Sequence, residues 1–126
     1  MASLVKYTEK EFINELAERL SLEPEWKVEK EGGDASTDLI IADPHSGKRV
    51  FIEFQEGGQY GELPISSILS LNKQKNRLSV KDSLFLVTFS IIPSILENKL
   101  KELGILAVAS PSVDELVGKV QYAMSA

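Results

Sequence analysis

Cysteine is absent, and its absence excludes a disulfide framework, a thiolate nucleophile and any cysteine-based zinc site. Histidine occurs once, as His45, which leaves little for imidazole chemistry. A metal held by this chain would therefore be bound by oxygen, which favours magnesium or manganese over zinc. No apolar run approaches the roughly 18 residues that a membrane helix needs. The opening Met1-Ala2-Ser3-Leu4-Val5-Lys6 has no basic stretch leading into an apolar core and a small-residue cleavage site, so a cytoplasmic location away from membranes is expected. A surplus of positive charge is missing too. The net charge of −5 and a pI near 4.9 speak against binding nucleic acid through a broad basic surface. The charges are segregated, however: Lys73, Lys75, Arg77 and Lys81 follow one another without an intervening acid, while Glu9 to Glu31 is rich in glutamate. A local basic edge survives on an acidic chain.

What is present describes one folded domain spanning 1–126. The chain has 43% hydrophobic and 26% charged residues, close to the globular average, and no internal repeat, low-complexity segment or linker. Thr8-Glu9-Lys10-Glu11 has the form of a capping box and predicts a helix from about Thr8 to Leu20, with Phe12, Ile13, Leu16, Ala17 and Leu20 on its apolar face. Pro24 stops it, and Trp26 to Lys30 alternates as a short strand in which Trp26 packs into the core. Pro64 opens a second helix running to about Leu78, with Ile65, Ile68, Leu71 and Leu78 buried. Lys75 falls on that same stripe, pointing inward, whereas Lys73 and Arg77 face solvent. Ser83 to Phe89 is an unbroken apolar run, the pattern of a central strand. Pro93 begins a third helix with Ile95, Leu96, Leu100 and Leu103 inward, stopped by Gly104. Ile105 to Ala109 is a second buried strand, joined to the first by a right-handed parallel crossover. Ser112 with Glu115 caps a last helix carrying Leu116, Val117, Val120 and Tyr122.

The chemistry concentrates between these elements. Thr37 to Asp43 and Lys48 to Gln55 are two short runs rich in β-branched and aromatic residues, separated by the turn formers Pro44-His45-Ser46-Gly47, and predict a β-hairpin. Side chains alternate along a strand, so Glu53 and Gln55 share one face while Ile52 and Phe54 take the other. Closing the hairpin brings the start of its first strand beside the end of its second. Asp38, Glu53 and Gln55 should therefore meet at one end. The glycine-rich Glu56 to Gly61 follows, without the Lys-Ser/Thr that would make it a phosphate-binding loop. Gln59 and Tyr60 are expected to finish that turn, and His45 to be an exposed turn residue.

The order αβββαβαβα, a mixed central sheet flanked by helices, with Asp on the second strand and Glu53-Phe54-Gln55 on the third, resembles the PD-(D/E)XK, or restriction endonuclease-like, nuclease superfamily. The resemblance runs from about Thr8 to Ala109, and the nearest pattern is that of archaeal Holliday-junction resolvases. It implies a metal-dependent nuclease in which Asp38, Glu53 and the carbonyl of Phe54 hold Mg²⁺ or Mn²⁺. Glu9 stands where the family has a helix-borne glutamate. Gln55 stands where the family usually carries lysine, and Thr37 precedes Asp38 where the family often has proline. Glutamine orients a water but brings no positive charge and no base. Lys75 is the candidate for a migrated lysine, with a lysine that covers apolar surface with its stem as the alternative.

Three functions follow as expectations. The first is a DNA nuclease, as a homodimer because so short a chain offers little surface to embrace a duplex. The second is a noncatalytic domain of the same fold that binds nucleic acid or a protein partner, suggested by Gln55 and the net acidity. The third is an α/β interaction domain whose carboxylates are only surface groups.

Overall fold

Residues 9–30, 38–56 and 61–125 are described by the computed structural model. Five strands form one sheet in the order β1 (Lys27–Lys30), β2 (Leu39–Ala42), β3 (Arg49–Phe54), β4 (Asp82–Thr88), β5 (Leu106–Ala109). The first three run as an antiparallel meander, and β3, β4 and β5 run parallel. Among the described residues there are four helices: α1 (Glu9–Leu20), α2 (Ser67–Lys75), α3 (Ser94–Glu102) and α4 (Val113–Ser125). The expected mixed α/β sheet, with β4 inside it, is the observed one.

Alternation along the strands divides the core into two halves. Leu39, Ile41, Val50, Ile52, Phe54, Phe85, Val87 and Val108 pack under α1 and α4, against Phe12, Leu16, Leu20, Leu116 and Val120. Phe51, Leu84 and Leu86 point the other way, against Leu71 of α2 and Leu96 and Leu100 of α3. The sheet thus lies between two helical layers, and each fully buried aliphatic side chain contributes about 2 kcal/mol.

The β2–β3 turn closes where the sequence places its turn formers. The Asp43 carboxylate accepts from the His45 amide and the Ser46 hydroxyl, both at 3.0 Å, and Gly47 takes φ +76°, a conformation that a Cβ would strain. At the same end of the sheet Arg49 and Asp82, the first residues of β3 and β4, form a two-pronged ion pair at 3.0 and 2.8 Å. The Asp82 side chain is almost fully buried and also accepts from the Ser79 amide at 2.9 Å. This clamp holds β3 and β4 in register far from the carboxylates.

Several expectations shift by fractions of a turn. Helix α2 begins at Ser67, because the chain from Pro64 to Ser66 makes tighter bonds three residues apart, Pro64 O to Ser67 N at 3.0 Å and Ile65 O to Ile68 N at 3.1 Å. Ile65 therefore sits in a turn and is half exposed. Ile95 precedes the buried Leu96 by one residue, and Tyr122 lies two beyond the buried Val120, so both rotate out to solvent. Trp26 is half-buried against the α1 side of the core, and His45 is exposed. Ser112 caps α4 by accepting from the Glu115 amide at 3.0 Å, and Gly104 ends α3 at φ +74°. Thr8, Thr37, Gln59 and Tyr60 lie outside the described residues. Among the described residues no helix is long and apolar enough to cross a membrane.

Candidate nuclease site

The first strand of the hairpin enters the sheet one residue after Asp38, whose amide donates to the Ile52 carbonyl at 2.9 Å. Its carboxylate turns back and accepts from the Phe54 amide at 2.7 Å. The backbone of Gln55 is turned to β4, donating to Val87 O at 3.1 Å, so the amide and carbonyl of Phe54 face the opposite way, past the end of β2 and towards Asp38. Glu53 projects from the face that α2 covers, within reach of Gln74, while Leu39, Ile52 and Phe54 point to the α1 side and Asp38 stands at the end of the hairpin beside Glu9 and the first turns of α1. Hairpin closure thus brings the three polar side chains to one end.

Glu53 is the most unusual of them. It is only 3% exposed, and burial raises its carboxyl to about 7, helped by the neighbouring charge of Asp38. Two side-chain amides, Gln55 and Gln74, donate to it and oppose that rise without cancelling it. Asp38 is raised as well, by burial, with the Phe54 amide pulling in the other direction. Glu9, at the first turn of α1, reaches the group from the opposite layer. Its proton affinity is raised by burial, by Asp38 and by Glu56, with which it shares a hydrogen bond.

Lys75 is not part of this group. Its Cε lies about 4.0 Å from where a Cβ on Gly104 would stand, so its stem runs along α2 towards the end of α3. The α2 residue turned to the strands is Gln74, 8% exposed, three positions after the buried Leu71. The inward stripe ends one residue earlier than the apolar spacing predicts: in a helix of nine residues, 100° of phase separates a site residue from a packing one. Sequence patterns also give no notice of Glu56 and of two cations. A cleft of about 430 Å³ beside Asp38 is lined by Glu9, Lys10, Ile13, Asn14 and Lys30, and Lys30 Nζ donates to Asn14 Oδ1 at 3.1 Å. The signal for Gln74 was its spacing from Leu71. Nothing local pointed to Lys30, which reaches the cleft only because β1 lies beside β2.

No family model matches the chain, and no curated protein does either. Solved structures do. Can2 from Sulfobacillus thermosulfidooxidans, determined with cyclic tetra-adenylate, superimposes with a TM-score of 0.66 at 15% identity, over 91% of this chain and 34% of that one. A repair endonuclease from Pyrococcus abyssi gives a TM-score of 0.53 at 19% identity, covering 87% of this chain and 50% of that one. This is the restriction endonuclease-like fold. EndoMS in its apo form gives 0.54 at 20% identity over 85% and 48%, and EndoMS with double-stranded DNA gives 0.50 at 19% over 89% and 50%. The chain therefore spans a third to a half of these proteins.

The donor set fits a hard divalent cation. Asp38 and Glu53 offer carboxylate oxygens, and Phe54 turns its carbonyl to the same side. Among the described residues no group of three or more histidine, aspartate or glutamate side chains is placed to hold a metal ion, so the protein donors at hand are these two carboxylates and one carbonyl. With so few protein donors, an ion bound here would take the rest of its shell from water and phosphate, as Mg²⁺ does.

Proposed function

We propose that this chain is a metal-dependent nuclease that hydrolyses DNA phosphodiester bonds at a site built on Asp38 and Glu53. The observation that carries the reading is the pair itself: two carboxylates at the same end of the hairpin, both with raised proton affinity and the charge of one acting on the other, which a cation would relieve. Asp38, Glu53 and the Phe54 carbonyl would hold Mg²⁺ or Mn²⁺. Bound there, such an ion offsets the charge that builds on the phosphate and makes a water more acidic. Gln55 and Gln74 fix the Glu53 carboxylate by donating to it. Glu9, which shares a hydrogen bond with Glu56, borders the pair from α1. Lys10 and Lys30 border the cleft on the far side of Asp38 and would bind the phosphates of the strand being cut.

That a repair endonuclease and a protein captured on double-stranded DNA share the fold supports DNA as substrate. A second copy of the chain as partner is supported by exposed aliphatic side chains near α2 and α3. Pairing of Glu62 with Ile91 sets the approaches to α2 and α3 side by side, leaving Ile65, Leu69, Ile91 and Ile95 half or more exposed. Light scattering of Leu69→Glu against the parent tests this: a mass halved in the variant supports the homodimer, and a monomeric parent excludes it.

Titration calorimetry of Mn²⁺ and Mg²⁺ into the parent, Asp38→Asn and Glu53→Gln decides the main reading, followed by cleavage of branched, single-stranded and duplex DNA. Binding lost in both variants together with cleavage lost in both is the expected result. A variant that still cuts at the parental rate would sink the assignment. One observation favours a second reading, a noncatalytic domain binding nucleic acid or a protein. The position that carries lysine in the family holds Gln55, whose amide is spent on Glu53. Metal binding without cleavage of any of the three substrates would select it.

A further inference from the structure

Beside the carboxylates, on the α1 side, lies a cavity of about 750 Å³. It opens at the carboxyl-terminal ends of the parallel strands, between α1 and the start of α4, where open α/β sheets place their ligands. Its apolar wall is Phe12, Phe89, Pro111 and Val113. Phe89 stands edge-on to Phe12, with ring centres 5.2 Å apart, and is 42% exposed, unusual for a phenylalanine at the end of a buried strand. Glu9 and Glu56 form the boundary with the catalytic group, and Glu9 also lines the lysine cleft on the other side. A strand whose phosphates lie along Lys10 and Lys30 and cross Asp38 would therefore carry its next base to this cavity.

The polar groups decide what enters. Glu15 lines the cavity, and its Oε2 is enclosed with no hydrogen-bond partner. Arg19, the cation on the rim, is already held by Asp114 at 2.5 Å. An acidic, acceptor-rich wall repels phosphate and accepts N–H groups, and an exposed aromatic ring favours a flat, uncharged partner. Among the bases, only guanine presents two parallel donors, N1–H and the 2-amino group, to a single carboxylate. Adenine and cytosine set a ring nitrogen acceptor beside their amino group, and thymine flanks its one N–H with carbonyls.

We infer that this cavity is a base pocket that takes one unpaired guanine next to the bond being cut, stacked on Phe89 and hydrogen-bonded by Glu15. The inference rests on the nuclease reading for its placement of the strand, and it adds a base preference to it. Single-stranded thymidine nonamers with dG, dA, dC or dT at the centre test it. Fluorescence anisotropy is measured at low salt, in EDTA and again in Mg²⁺, for the parent, Phe89→Ala and Glu15→Gln. The parent should bind the dG nonamer roughly tenfold tighter than the others. Phe89→Ala should erase the preference. Glu15→Gln should erase the dG preference while leaving binding of the nonamers in place. An amide offers one donor and one acceptor, which suit the adenine and cytosine edges and not the two parallel donors of guanine, whereas loss of folding would remove all binding.

Equal binding of all four nonamers, no binding of any, or a dG preference unmoved by Glu15→Gln would overturn the pocket. Cleavage in Mn²⁺ that ignores the base beside the cut also overturns it and leaves the nuclease intact. Selective dG binding with no cleavage in any divalent ion supports the pocket and removes the nuclease.

Discussion

Replacing Glu53 with glutamine should flatten the pH dependence of stability in the metal-free protein. The carboxyl is raised from 4.5 to about 7 by burial and by Asp38, so the folded state holds its proton more tightly than the unfolded chain does. Stability from this group is fully present below pH 4.5 and is lost as pH rises through about 7, above which the loss is complete. The difference corresponds to about 3 kcal/mol, and for a domain of this size to a melting shift on the order of 10 °C. Asp38 and Glu9 are raised too and add to the slope in the same direction. Asp43 and Asp82 are lowered, so their contributions change only below about pH 4, outside the window. Urea unfolding in EDTA at half-unit intervals from pH 4.5 to 8 would measure it. The parent should lose stability across the window, and Glu53→Gln should lose about 3 kcal/mol less. The comparison is of slopes, because an amide facing Gln55 and Gln74 brings its own pH-independent cost. Parallel slopes would refute the claim that Glu53 is buried beside a like charge. Saturating Mn²⁺ should also flatten the parental slope, since a cation favours the ionised carboxylate.

Gln55→Lys places a cation where the fold family usually carries one; it should lower the Glu53 carboxyl, reduce the parental pH slope and raise cleavage, and an unchanged slope would show that the side chain does not reach Glu53. Gln74→Ala removes a donor from Glu53 and should weaken Mn²⁺ binding in calorimetry, whereas Lys75→Ala should leave metal affinity and cleavage within about twofold of the parent; the reverse pattern would restore Lys75 to the site. Arg49→Ala strands the buried Asp82 carboxylate and should cost about 2 kcal/mol in urea unfolding at pH 7 without altering metal affinity. Lys10→Ala with Lys30→Ala should weaken DNA binding and reduce the slope of log K against log salt by about 1 for each phosphate that is no longer neutralised; an unchanged slope would place the phosphates elsewhere.

The hairpin was legible because strand alternation has only two outcomes, and the apolar Leu39, Ile41, Ile52 and Phe54 decide between them. Once those four are buried under α1, Glu53 has no choice of face, and Asp38 and Gln55, just past the strand ends, meet it at the same end of the hairpin. Helix α2 was less legible. Its apolar residues allow several phases, and the difference between Lys75 inward and Gln74 inward is one residue, settled by β3 and β4 and not by the helix's own pattern. Least legible were the cavity and the lysine cleft. Phe89 and Pro111 meet Glu15 and Arg19 only through the parallel strands and the packing of α4 on α1, which join segments far apart in the chain. No local spacing encodes such a meeting.

The same geometry changes what the net charge means. A surplus of acid counts against nucleic acid when it is spread over a surface, but here Glu9, Asp38, Glu53 and Glu56 are gathered at one end of the sheet. Without a cation they repel a phosphate and one another, and that repulsion adds to the burial that raises Glu9 and Glu53. With lysine at position 55, part of the repulsion would be offset from within. Gln55 offers a dipole instead of a charge, so under the metal-dependent reading the offset would come from the divalent ion. Metal and DNA should therefore bind with strong mutual dependence, each supplying charge or ligands the other lacks. The acidity that counts against a nucleic-acid substrate on composition alone becomes the reason that this site would engage one more tightly when loaded with metal than when empty.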